Sequence, residues 1–187
     1  MNARSRVAAL LAAGLAALLA ACSHTPPTIA PVAAVDLPRF MGDWYVIAHI
    51  PSRWERDAYN AIESYTLRDD GSIATTFRFR EGGFDAPVET MHPRGFVRPG
   101  SNGAVWDMQF VWPIKAEYVV VYLDDDYRQT IIGRSARDYA WLMARTPTIP
   151  EADYQAALAR LQALGYALED VRKVPQRWPQ PPAASAL

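Results

Sequence analysis

The sequence reads as an all-β protein, an eight-stranded antiparallel up-and-down β-barrel with one C-terminal flanking α-helix. Alternation of period two dominates the middle of the chain, tight-turn dipeptides punctuate it, and one stretch near the C-terminus switches to helical spacing. Of the 187 residues 50% are apolar and 21% are charged, which suits one globular domain that needs no disulfide or metal staple.

The clearest strand is Ile73 to Arg80, with Ile73, Thr75, Phe77 and Phe79 on one face and Arg78 and Arg80 on the other. Val105 to Trp112 repeats the pattern, placing Trp106, Met108, Phe110 and Trp112 opposite Asp107 and Gln109. Asp70-Gly71 and Asn102-Gly103 precede these two strands and supply the chemistry of tight hairpins. Further strands are expected at Trp44 to Ile50, Asn60 to Leu67, Val88 to Val97, Tyr118 to Leu123, Arg128 to Arg134 and Tyr139 to Arg145. Eight short strands at even spacing predict closure into a barrel, which removes exposed sheet edges. Glu151 to Leu164 then carries Tyr154, Ala157, Leu158, Leu161 and Leu164 at helical spacing, opened by Pro150 and stopped by Gly165. This amphipathic helix is expected to bury its apolar stripe against the outer barrel wall. A short strand from Tyr166 to Val174 is expected to follow.

The termini differ from this domain. Arg4 and Arg6 precede an uncharged run from Val7 to Ala21, too short for a spanning helix of roughly 20 residues. Residues 1–21 therefore read as a secretory signal peptide. Leu19-Ala20-Ala21-Cys22 resembles the lipobox of bacterial lipoproteins, which implies acylation of Cys22 and anchoring to a membrane through its acyl chains. By the same resemblance Ser23 implies sorting to the outer membrane, with the domain facing the periplasm. Residues 22–35, with Pro26, Pro27 and Pro31 among small side chains, are expected to form a flexible tether, and 175–187 a Pro-rich tail. The compact domain is then 36–174.

Three motifs carry a family resemblance. Gly42-Asp43-Trp44 heads the first strand, Asp125-Asp126-Tyr127 lies in the turn between the sixth and seventh, and Arg145 closes the eighth. In this order they resemble the three lipocalin signatures, with Asp125 standing where the family has Thr. Together with the lipobox, the pattern is similar to bacterial outer-membrane lipocalins and their apolipoprotein D relatives. The resemblance implies a calyx, closed at an end built on Gly42, Trp44, Asp126, Tyr127 and Arg145. It further implies a cavity for a lipid-like ligand such as a fatty acid or lysophospholipid, and a possible homodimer.

Side-chain parity then proposes a lining. If Trp44 and Arg145 meet at the closed end, Tyr139, Trp141 and Met143 share the inward face, joined by Trp106, Met108, Phe110 and Trp112. For the sixth and seventh strands the inward set is expected to be Tyr118, Val120, Tyr122 and Ile131. Such a wall suits an acyl chain whose polar head stays near the mouth. The rival reading is a barrel filled by its own aromatic side chains, acting through protein contacts in the cell envelope.

Other functions find little support. A formal charge of -1 without a basic stretch argues against nucleic-acid binding. One cysteine excludes a disulfide framework and Cys-cluster metal sites. His24, His49 and His92 are isolated, and no phosphate loop or nucleophile elbow is present. No catalytic residue, cofactor or metal is therefore assigned.

Overall fold

The computed structural model describes residues 27–52 and 55–179. The signal segment, Cys22 and residues 180–187 lie outside the described residues.

The barrel closes on its first strand. β1 (Gly42–Ile50) pairs with β2 (Ala58–Leu67) on one side and with β9 (Ala140–Ala144) on the other. Between them run β3 (Ser72–Glu81), β4 (Val88–Met91), β5 (Arg94–Val97), β6 (Val105–Val111), β7 (Ile114–Leu123) and β8 (Gln129–Gly133), every pairing antiparallel. β4 and β5 are two pieces of one barrel strand, so eight strands make the wall. That strand was expected to be continuous over Val88 to Val97. Pro93 breaks it, because a proline donates no ladder hydrogen bond, and its carbonyl instead accepts from Thr75 N at 3.1 Å. Above the break β4 pairs with β3 alone, so the wall parts on the β6 side.

The residues expected to form a free tether are, from Pro27 onward, laid along the barrel. Ile29 and Val35 are buried, Val32 N donates to Val120 O at 2.9 Å, and Val35 N donates to Asn102 O at 2.9 Å. The close approach needs Gly103, whose φ is +81° and where a Cβ would lie 2.6 Å from Val35 O. The strap leads into the short helix α1 (Leu37–Phe40), capped by the Asp36 carboxylate, which accepts from Arg39 N.

The C-terminal helix α2 (Glu151–Ala163) packs on the outer wall, burying Tyr154, Ala157 and Leu161 against Ile47, Ala48, Ile131 and Leu142. After Gly165 the expected strand shrinks to β10 (Arg172–Lys173), which pairs with β1 and follows a 3-10 turn at Leu168–Asp170. Residues expected as a loose tail continue along β1 and β2. Gln176 Nε2 donates to Val46 O at 2.8 Å and to Ala61 O at 3.2 Å, and the Trp178 ring meets Tyr45 edge-on at 5.3 Å. This segment fills the place where β1 and β2 diverge.

Two apolar clusters result, one inside the barrel and one beneath α2. Register shifts decide which side chains join which. A bulge between Val46 and Ala48 and another between Val120 and Tyr122 each insert a residue, and the side chains beyond them change face.

Candidate ligand-binding cavity

The closed end is an aromatic floor. Phe40, Trp44, Tyr65 and Trp106 are buried; Phe40 lies 5.0 Å from Trp44 and 5.5 Å from Trp106, while Trp106 stacks on Tyr118 at 4.7 Å. The indole of Trp44 donates to Phe40 O at 2.8 Å. Arg145 seals the end from outside. Its Cζ stands 3.8 Å over the Trp44 ring, and its guanidinium donates to the carbonyls of Arg39, Phe40, Met41, Asp43 and Tyr127 at 2.8 to 3.3 Å. Gly42, at φ +94°, makes the turn that brings β1 under this guanidinium. In the turn after β7, Asp124 rather than Asp126 caps the backbone, accepting from Arg128 N and Gln129 N at 2.6 and 2.5 Å. Asp126 pairs with Arg128 on the surface, and the Tyr127 hydroxyl accepts from Asp36 N at 2.8 Å.

Above the floor a cavity of about 480 Å³ opens toward the other end. Phe77, Met91, Met108 and Trp141 form much of its wall, Phe110, Val111 and Tyr139 stand toward the mouth, and Arg134 and Glu117 also line it. The volume falls within the range of small-molecule sites. Among the described residues no group of three or more His, Cys, Asp and Glu side chains could hold a metal.

Two carboxyls interrupt the apolar wall. Glu63 accepts a hydrogen bond from the Tyr65 hydroxyl, which in turn lies 2.8 Å from the Tyr118 hydroxyl. Burial raises Glu63 to about 7, partly offset by the Tyr65 bond and reinforced by Glu55. Burial likewise raises Glu55, against the opposing hydrogen bonds from Ser52 and Trp141. Its Oε1 accepts from Ser52 N at 3.1 Å and its Oε2 from Trp141 Nε1 at 3.4 Å. His49 approaches Glu55 to 3.9 Å, but burial and then the Arg172 charge lower it to about 3, so its imidazole is neutral. Burial also drives both phenols well upward, and neither ionises near neutrality.

A lipocalin-like domain family model matches residues 35–176. The chain belongs to the lipocalin family. It is 32% identical over 185 residues to the outer membrane lipoprotein Blc of Escherichia coli (strain K12), covering 96% of this chain and 99% of that protein. Blc of Citrobacter freundii is 34% identical over 157 residues, 82% of this chain and 88% of that one. Among solved structures, insecticyanin of the tobacco hornworm Manduca sexta superposes with a TM-score of 0.65 at 17% identity, over 83% of this chain and 88% of that chain. Lipocalins are in general proteins that bind or carry hydrophobic small molecules.

In this lipocalin the sequence-derived lining divides into three groups. Met108, Phe110, Tyr118, Tyr139 and Trp141 face the cavity. Trp106, Val120 and Met143 point inward but belong to the packed core and floor. Three residues lie elsewhere. Tyr122 and Ile131 face outward under α2, with Arg160 4.2 Å over the Tyr122 ring, because the Val120/Tyr122 bulge reverses the parity that assigned them; Ile132 takes the inward place. Trp112 is 82% exposed at the tip of the β6–β7 hairpin, past a further register shift between Met108 and Val111. Sequence reasoning missed Glu63, Tyr65 and Glu55, and it read His49 only as an isolated histidine. The available signal for the first two was parity with Ala61 on one strand face, yet an acid on an alternating strand ordinarily marks the solvent side.

Proposed function

We propose that this lipocalin binds fatty acids or lysophospholipids, holding the chain in the barrel and carrying or storing it at the outer membrane. Acyl groups on Cys22 anchor it there, with the domain on the periplasmic side. The name of the Blc relatives, outer membrane lipoproteins, and the lipobox-like sequence before Cys22 support that placement.

The observation that carries the binding reading is the open volume of about 480 Å³ between Phe77, Met108 and Trp141. It also argues against the reading of a barrel filled by its own side chains. Apolar burial at roughly 25 cal/mol per Å² makes affinity grow with chain length. The test is titration of the protein with saturated fatty acids of increasing length, followed by quenching of Trp141 fluorescence with brominated chains. Saturable quenching that tightens from short to long chains is expected. An absence of saturable response to both fatty acids and lysophospholipids removes the proposal.

A further inference from the structure

The apolar wall surrounds a polar group that packing of the barrel does not require. Glu63 lies opposite Trp44 in the β1–β2 register, one step above the aromatic floor, and Tyr65 two residues on packs against Phe40 and Trp106 at 5.8 and 5.6 Å. Glu63 and Tyr118 both line the cavity, whereas Tyr65 bridges them from below. Tyr65 has one hydroxyl proton. When it serves Glu63 Oε2, the hydrogen bond between the phenols must be donated by Tyr118. Tyr65 occupies one carboxyl oxygen, and the carboxyl stands at the inner end of a volume able to take a ligand.

We propose that Glu63, supported by Tyr65 and Tyr118, is a deep polar subsite that accepts a hydrogen bond from a hydroxyl group on the leading end of an otherwise apolar ligand. The inference rests on the binding reading above and refines it: the ligand has a hydroxyl at the inserted end, with any anionic head left at the mouth.

The alternatives fit less well. A carboxylate or phosphate at this depth would be a desolvated anion with no cation, among the described residues, at the inner end of the cavity. Among the described residues Arg134 is the cation that lines the cavity, and it stands near the mouth with Tyr139. An ammonium would need a fixed counter-charge, but burial keeps Glu63 neutral much of the time at pH 7. A purely apolar end would leave the carboxyl facing hydrocarbon, and an unmet buried polar group is costly.

The experiment compares 16-hydroxyhexadecanoic acid with hexadecanoic acid at pH 7, using the full chain in nanodiscs. Partition of each probe into the lipid is common to all variants, so ratios between variants are free of it. The wild type is expected to bind the hydroxylated probe about tenfold more tightly. Glu63→Leu should abolish that preference while retaining hexadecanoic acid, and Glu63→Gln, which keeps an accepting oxygen, should retain part of it. Tyr118→Phe serves as a second variant that keeps the ring and removes one link of the network; a reduced preference is expected. Equal affinity of the wild type for the two probes overturns the subsite and leaves the binding proposal standing. A preference that persists unchanged in Glu63→Leu also overturns it. Failure of the wild type to bind either probe overturns the fatty-acid reading itself.

Discussion

At the closed end Phe40, Trp44 and Trp106 are wholly buried beneath Arg145, whereas at the open end Phe110, Trp112 and Ile114 stand 50%, 82% and 70% exposed. Both ends are rich in aromatic and aliphatic side chains. At the closed end Phe40, Trp44 and Trp106 have ring neighbours at 5.0 to 5.5 Å, and the freed backbone carbonyls share a common donor. The side chains of this end hold the barrel shut. Those at the mouth bury little area in the folded chain, and their loss should leave the fold intact. The difference separates residues that make the structure from residues available to whatever enters it.

The largest expected effect tests the closed end. Trp44→Ala removes a fully buried indole, its hydrogen bond to Phe40 O and the surface under Arg145, and should cost about 4 kcal/mol. Urea denaturation measures this directly. Arg145→Met keeps a flexible apolar stem over Trp44 but removes every donation to the five carbonyls. A loss of about 2 to 3 kcal/mol is expected, from charge-assisted bonds in a half-buried place. A cost below 1 kcal/mol for both would erase the contrast between the two ends.

Glu63 lies between the two regimes, and its effect depends on pH. Its folded value, about 7, stands above the ordinary carboxylate value of 4.5, so the folded state holds the proton more tightly. The stability linked to that proton is complete below pH 4.5 and is lost as pH rises through 7. The facing groups are Tyr65 on β2, Tyr118 on β7 and Glu55 beyond β1; the phenols stay neutral throughout this window. His49 acts oppositely, because its folded value of about 3 makes it lose stability as pH falls from 6.5. The useful quantity is therefore the difference between wild type and Glu63→Gln. It should be small at pH 4.5 and favour the variant by on the order of 2 kcal/mol at pH 8. A difference that stays constant from pH 4.5 to 8 would mean that Glu63 titrates as an ordinary surface acid.

The same distinction explains what could be read from the chain. Alternation alone placed Trp106 and Met108 inward, and the switch of period located α2 to within one residue of its end. Tyr122 and Ile131 were illegible because Val121 is an inserted residue, and a bulge leaves no mark in a pattern that counts by twos. The break at Pro93 did carry a signal, a proline within an expected strand. Prolines and small residues in 27–35 suggested mobility, but Ile29, Val32 and Val35 are apolar enough to bind the strap to the barrel. Glu63 was hidden for a different reason. Its character comes from Tyr65 and Tyr118, the latter on a strand far away in sequence, and no local pattern reports that meeting.

The smallest expected effect belongs to the mouth. Among the described residues Trp112 is the most exposed of the large apolar side chains, at the tip of a hairpin whose ladder has already shifted register below it. Trp112→Ser removes little buried area, so the change in stability should stay within about 0.5 kcal/mol. Differential scanning calorimetry beside Trp44→Ala makes the comparison, since both variants remove one indole. If Trp112→Ser instead lowers stability by 2 kcal/mol or more, the hairpin tip is packed in solution and the mouth is not the open rim that its exposure implies. If the melting temperature is unchanged, two tryptophans of one sequence divide by position: the same side chain is structural at Trp44 under Arg145 and free of structural duty at Trp112 at the mouth.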